Sequence, residues 1–170
     1  MTDVSTLTRE RADLLETLQT HRGFLRFTVR ELDDETAGTR PTASQLSLAG
    51  LIKHVAHTER AWADFALRGP EAFGAQNWSP EAWAAEWQLQ PGETLAGLLA
   101  EYEEIARRTD QLVATLDLDT AYPLPEAPWF PRGATRSVRR TFLHIVAETA
   151  QHAGHADILR ESIDGQKTMG

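Results

Sequence analysis

The sequence predicts an all-α protein, a four-helix bundle with long crossover connections and a short extra helix. Four stretches of the chain carry apolar residues at steps of three or four, the period of an amphipathic helix. No stretch alternates apolar and polar residues as a half-buried strand does. Four long helices with at least one long connection between them are typical of a four-helix bundle.

Composition narrows the class of protein. The chain has 170 residues, 41% of them hydrophobic and 25% charged, which predicts a single domain over 1–170. Its formal net charge of -8 argues against nucleic acid or an anionic membrane as a partner. With no cysteine, the chain has no nucleophilic thiol of its own, so thiol chemistry needs a thiol from outside. The absence of a signal-like or membrane-spanning apolar run predicts a cytoplasmic protein.

The first two helices follow from their apolar stripes. The first is expected over about residues 5–33 and the second from Ser47, a favourable N-cap, to about Gly69 and Pro70. The intervening stretch "DDETAGTRPTA" is expected to be a linker. The second stripe consists of Leu48, Leu51, Ile52, Val55, Glu59 and Trp62.

The second half of the chain predicts a short helix and two long ones. Ser79 followed by Pro80 is typical of the start of a short helix. The third long helix is expected at about residues 92–116, and residues 117–135, with four prolines, are expected to form a long loop. The last helix should run from Ser137 to about Gly165. Three tryptophans of the crossover are expected to pack it: Trp78, Trp83 and Trp87.

The last helix carries an unusual set of polar residues in the stretch "HIVAETAQHAGHADILRE". At about 100° per residue, His144, Glu148, His152 and His155 share one face at the edge of the core stripe. Titratable groups beside a core are costly unless they have partners. A divalent metal ion is one such partner, and ordinary packing histidines are the alternative interpretation.

Glu148 and His152 have the four-residue spacing of ligand pairs in helical bundles. Zinc accepts imidazole and carboxylate ligands, with an open fourth position in catalytic sites, and nickel or iron(II) also suits such ligands. The third ligand should come from another helix. His54 is favoured because it lies beside the apolar stripe, whereas the direction of His57 is ambiguous.

Two segments, "LAGLIKHVAHTERAW" and "TFLHIVAETAQHAGHADILRESIDG", resemble the DinB-like superfamily of small metal-binding four-helix bundles. The resemblance implies His54, Glu148 and His152 as the metal ligands. The glutamate departs from the commoner pair of histidines on the last helix, and it is shared with mycothiol-dependent maleylpyruvate isomerases, which carry an additional C-terminal domain. His144, His155 and His57 would then support the ligands or line the pocket.

The resemblance implies a thiol-dependent metalloenzyme without naming a substrate. We expect a thiol S-transferase or thiol-dependent isomerase in which a metal-bound thiolate, from a low-molecular-weight thiol such as mycothiol, attacks a small electrophile. Metal-dependent hydrolysis is an alternative use of the same site. A non-catalytic bundle that binds a metal or small ligand is another, as is a purely structural bundle working as a homodimer.

Arginines cluster around the start of the last helix, where positive charge opposes the helix dipole. Arg132, Arg136, Arg139 and Arg140 are therefore candidates for binding an anionic group together with the helix N-terminus. Surface arginines paired with nearby acids are the alternative. Trp129, in the preceding loop, is expected either to form a pocket wall or to pin the loop to the bundle.

Overall fold

The computed structural model describes residues 7–74 and 79–168. Four long helices form the bundle: α1 (Arg9–Phe27), α3 (Leu48–Arg68), α5 (Leu95–Thr115) and α6 (Val138–Asp164). The connections hold short elements: α2 (Asp34–Ala37), a 3₁₀ helix (Gly69–Phe73), α4 (Pro80–Glu86), β1 (Ala121–Pro123) and β2 (Thr135–Ser137). The predicted bundle is confirmed, and α4 is the predicted short extra helix. None of the helices within these ranges has the length and hydropathy needed to cross a bilayer.

The predicted helix starts at three serines are confirmed. The side chains of Ser47, Ser79 and Ser137 each accept a hydrogen bond from the backbone N–H three residues later, which satisfies one of the unpaired donors of the first turn. Helix α6 ends at Gly165, whose φ of 77° is the left-handed conformation that glycine adopts most easily.

The first helix is shorter than predicted. It ends at Phe27 rather than near residue 33, and residues 5 and 6 of the predicted span lie outside the described residues. Beyond the helix, the buried guanidinium of Arg160 donates hydrogen bonds to the carbonyls of Thr28, at 2.9 Å, and Arg30, at 2.7 Å. These two carbonyls have no hydrogen-bond partner within a helix, and the hydrogen bonds from Arg160 satisfy them.

Two connections predicted as loops contain regular structure. The linker after α1 holds α2, capped by the side chain of Asp33. The two ends of the proline-rich segment pair as the antiparallel strands β1 and β2, with Ala121 opposite Ser137. Strands of three residues are too short for an alternating pattern to be recognised in the sequence.

Helix α3 packs against α5 and α6, and α6 also packs against α1. Two buried clusters make up the core. The larger includes Leu48, Leu51, Ile52, Val55, Tyr102 and Leu159, and the other includes Leu14, Leu18, Phe142 and Ile145. Because α3 and α6 are direct neighbours, polar residues on their facing edges meet.

The segment after α4 is held tightly against α3. A Cβ atom on Gly50 would lie 2.1 Å from the carbonyl oxygen of Trp87, so only glycine allows this approach. One turn further along α3, the ammonium of Lys53 lies 2.7 Å from the carboxylate of Glu93 and 3.1 Å from the carbonyl of Ala85. These contacts hold Trp87 beside the middle of α3.

Replacing Gly50 with alanine is expected to destabilise the protein by about 1–3 kcal/mol, because the added methyl group overlaps a backbone oxygen that must shift. The matched control is Gly23→Ala in α1, where a Cβ would have no atom within 4 Å. That change should be neutral or stabilising by up to about 1 kcal/mol, since alanine restricts the unfolded chain. Urea unfolding of both variants checks the difference, and equal stabilities would contradict the close contact.

Candidate metal centre

Three side chains from two facing helices converge at one point. His54 comes from α3, Glu148 and His152 come from α6, and one donor atom from each lies within 4.8 Å of the other two. The two imidazole rings are 5.0 Å apart and nearly perpendicular. Metal bonds of about 2.0–2.2 Å bring ligand atoms to about 3–3.5 Å from one another. Small side-chain rotations would therefore close two nitrogens and one oxygen around a divalent cation.

Burial sets the protonation of this group. Desolvation lowers the pKa of His54, and desolvation with the neighbouring His54 and His155 lowers the pKa of His152 to about 4. Both imidazoles are thus neutral near pH 7, the form that ligates metal. Desolvation also raises the pKa of Glu148, because a half-buried carboxylate has lost part of its hydration. A bound cation would compensate that loss.

His54 is flanked by an aromatic wall. The ring of Trp87 stacks on it at 4.1 Å and 25°, and Trp83 lies edge-on at 6.2 Å. The sequence predicted only a packing role for these tryptophans, and Trp78 lies outside the described residues. The available signal was Gly50, a glycine inside a helical pattern one turn before His54, since such a glycine often marks a close packing contact.

His155 supports His152 from the adjacent turn of α6. Their Nδ1 atoms are 3.4 Å apart, so one ring donates a hydrogen bond to the other. The Nε2 atom of His152 lies on the Glu148 side, 3.7 Å from that carboxylate. A histidine that ligates through Nε2 carries its proton on Nδ1, and His155 would accept it.

His144 lies on the other side of Glu148. Its Nε2 is 3.7 Å from the carboxylate, and its ring meets Trp62 edge-to-face at 4.7 Å. Burial, together with the positive charges of Arg136 and Arg140, lowers the pKa of His144 to about 4. His144 is therefore a neutral hydrogen-bonding group beside the carboxylate.

His57 contacts two acidic side chains of other helices. Its Nδ1 lies 2.8 Å from the carboxylate of Glu86, and its Nε2 lies 3.7 Å from Glu101. These acids belong to α4 and α5, so His57 ties both helices to α3. It is not one of the three residues whose donor atoms converge.

The four arginines predicted as an anion site separate into different environments. The guanidinium of Arg139 pairs with Glu10 and, at 2.5 Å, with Asp119, which is the alternative of an arginine paired with nearby acids. Arg132 and Arg140 are exposed. Arg136, like Arg139, is half-buried, and its guanidinium lies 4.5 Å from the centre of the Trp62 ring.

The loop tryptophan of the predicted pocket wall is largely exposed. Trp129 has 70% of its surface accessible. It contacts the neighbouring Phe130 edge-on, with ring centres 6.2 Å apart. Phe130, in turn, lies 6.5 Å from Trp62, so the loop meets the bundle at this aromatic pair.

A four-helix bundle with one histidine on α3 and a glutamate and histidine four residues apart on α6 has the arrangement of the DinB-like proteins. Comparison with known protein families assigns the chain to one family of this class. The chain belongs to the mycothiol S-transferase family, whose model matches residues 13–165.

A solved structure of a conserved protein from Enterococcus faecalis is similar in fold. It superposes with a TM-score of 0.69 at 14% identity, over 90% of this chain and 96% of that one. No curated protein matches the sequence.

Proposed function

We propose that this protein is a divalent-metal-dependent S-transferase that joins a small thiol, mycothiol by its family, to a small electrophile. The observation that carries the proposal is the convergence of His54, Glu148 and His152 within 4.8 Å, in a chain that a mycothiol S-transferase model matches over residues 13–165. A chain without cysteine needs an outside thiol for such chemistry.

His54, Glu148 and His152 would hold the cation through two nitrogens and one oxygen. Three protein ligands leave a position open for substrate, which is the arrangement of catalytic rather than structural zinc sites. When bound, the cation lowers the pKa of a thiol whose sulfur reaches it, so that a thiolate forms near neutral pH. Zinc is the favoured metal, and nickel and iron(II) suit the same ligands.

The surrounding residues orient the ligands and restrict water. His155 accepts the Nδ1 proton of His152, which fixes the orientation of that ring, at the observed separation of 3.4 Å. Trp87 stacks on the imidazole of His54 and covers one face of that ring. His144 stays neutral beside Glu148, so it does not compete as a charge for the carboxylate.

The transfer step is a substitution at an electron-poor carbon. The thiolate sulfur forms a bond to that carbon as the bond to the leaving group breaks, and the leaving group departs with the electron pair. The proton lost by the thiol and the leaving group are released together as the conjugate acid. Isomerisation is the related outcome in which a thiol adduct collapses and returns the thiol.

The test uses mycothiol and monobromobimane, an electrophile whose thiol conjugate is fluorescent. Conjugation above the uncatalysed rate should disappear after a chelator treatment and return with added zinc. Metal binding without conjugation across a panel of electrophiles would instead indicate a binding protein. Turnover of an ester or amide without thiol would indicate a hydrolase. Either result would overturn the transferase proposal.

A further inference from the structure

Arg136 is a half-buried cation whose guanidinium has no hydrogen-bond or ion-pair partner in the described ranges. It lies in β2, directly before α6, and its guanidinium is 4.5 Å from the centre of the Trp62 ring and 5.7 Å from that of Phe130. Its Nη1 is buried, and across residues 7–74 and 79–168 it has no hydrogen-bond partner. An unsatisfied buried donor costs about 1–3 kcal/mol, so this one is expected to serve a ligand.

Other buried arginines of this protein are paired. Arg22 binds the carboxylates of Glu59 and Asp110, at 2.5 and 2.7 Å, and Arg160 binds Asp164 at 2.8 Å. Arg136 departs from this pattern although the chain carries a net charge of -8 and has acids in excess. Arg11 and Arg30, which are also half-buried, lack an acidic partner too, but their guanidiniums donate hydrogen bonds to backbone carbonyls. Among the half-buried arginines of residues 7–74 and 79–168, Arg136 is the one whose guanidinium has neither kind of partner.

The position adjoins the candidate metal centre. The ring of Trp62 lies between them, 4.5 Å from the guanidinium of Arg136 and 4.7 Å from the ring of His144, whose Nε2 is 3.7 Å from Glu148. The charges of both Arg136 and Arg140 act on His144. Glu148 is also the carboxylate whose charge acts on Arg136. If Glu148 ligates a cation, its negative charge is neutralised there, and the two arginines leave this side of the site positive.

We infer that Arg136 binds a carboxylate of the electrophile, so that this transferase acts on acidic electrophiles; the inference rests on the function proposed above. A guanidinium matches a carboxylate with two parallel hydrogen bonds, and the aromatic rings of Trp62 and Phe130 suit a flat carbon skeleton. The cysteine carboxyl of mycothiol is bound in an amide, so the thiol offers no carboxylate of its own. The anion therefore comes with the second substrate.

The experiment compares 4-(bromomethyl)benzoate with its methyl ester as electrophiles, each corrected for its uncatalysed rate with mycothiol. The wild-type kcat/KM should be at least about tenfold higher for the acid, the value of one charged hydrogen bond. Arg136→Gln should lower kcat/KM for the acid about 10- to 100-fold and leave the ester within about twofold. Arg136→Lys keeps the positive charge but not the two parallel N–H donors of the guanidinium, and it should recover part of the lost kcat/KM. Arg107→Gln, at an exposed arginine of α5, is the matched control.

Direct binding separates failure of this inference from failure of the proposed function. Unreactive 4-methylbenzoate and its methyl ester are titrated into the zinc-loaded protein, with tryptophan fluorescence as the readout because Trp62 contacts Arg136. Selective binding of the acid that Arg136→Gln removes, without any thiol transfer, would support the carboxylate site and overturn the transferase. Thiol transfer with equal preference for acid and ester, or an equal loss for both in Arg136→Gln, would overturn the inference alone. Zinc content and thermal unfolding of each variant verify that it is folded and loaded.

Discussion

His152→Ala abolishes metal binding and lowers the rate of thiol conjugation by at least about 100-fold, while the helical fold remains. Residues that merely support a ligand affect metal affinity or activity by about 10- to 100-fold, so loss of a ligand should exceed that range. The alanine leaves Glu148 and His54 as the two remaining ligands of the three that converge. Metal content per chain, conjugation rate and circular dichroism of the same preparation measure the three effects.

The matched control for His152 is His21→Ala. His21 lies on α1, where its ring contacts Phe24 at 6.0 Å, outside the group of three converging ligands. This variant should keep its metal and its conjugation rate within about twofold, a change of less than about 0.5 kcal/mol. A His152→Ala protein that conjugates thiol at the full rate without bound metal would refute the metal-dependent mechanism.

Glu59→Gln destabilises the protein by about 3 kcal/mol or more, because it leaves the guanidinium of Arg22 buried with one partner fewer. The side chains of Arg22 and Glu59 are 2% and 0% exposed, and their closest atoms are 2.5 Å apart. Burial alone would lower the pKa of Arg22, but the charges of Glu59 and Asp110 outweigh it and hold the pKa above its ordinary value. The melting temperature should fall by about 6–12 °C for a chain of this length.

Two further variants isolate the buried charge as the cause. Glu104→Gln makes the same chemical change in an exposed ion pair with Arg107 and should alter stability by less than about 1 kcal/mol. The double variant Arg22→Met with Glu59→Met removes both charges and should be more stable than Glu59→Gln alone. If Glu59→Gln and Glu104→Gln had equal effects, the buried pair would not be the stabilising contact described.

The helices were predictable because their signals are local. Serine caps at Ser47, Ser79 and Ser137 define helix starts within a few residues, and the apolar period locates the faces that meet in the core. The same period located Glu59 in a buried stripe, but its partner Arg22 comes from another helix 37 residues away. Partners distant in sequence leave no trace in a periodic pattern.

The candidate site likewise has one part that the sequence predicts and one part that it does not. The convergence of His54 with Glu148 and His152 follows from helical spacing and from the resemblance to DinB-like bundles. The particular partners of Trp87 and Arg139 could not be predicted from a single sequence. Trp87 reaches His54 through a backbone contact at Gly50, and Arg139 is paired with an acid 129 residues earlier in the chain.

Metal content per chain tests the central claim most directly. Protein without a histidine tag is stripped with a chelator, incubated with zinc, desalted and measured by elemental mass spectrometry, beside His54→Ala and His21→Ala. The account predicts about one zinc per wild-type chain and per His21→Ala chain, and a loss of that zinc in His54→Ala. Absence of bound zinc in the wild type, or equal zinc in all three proteins, would contradict a metal centre built on His54, Glu148 and His152.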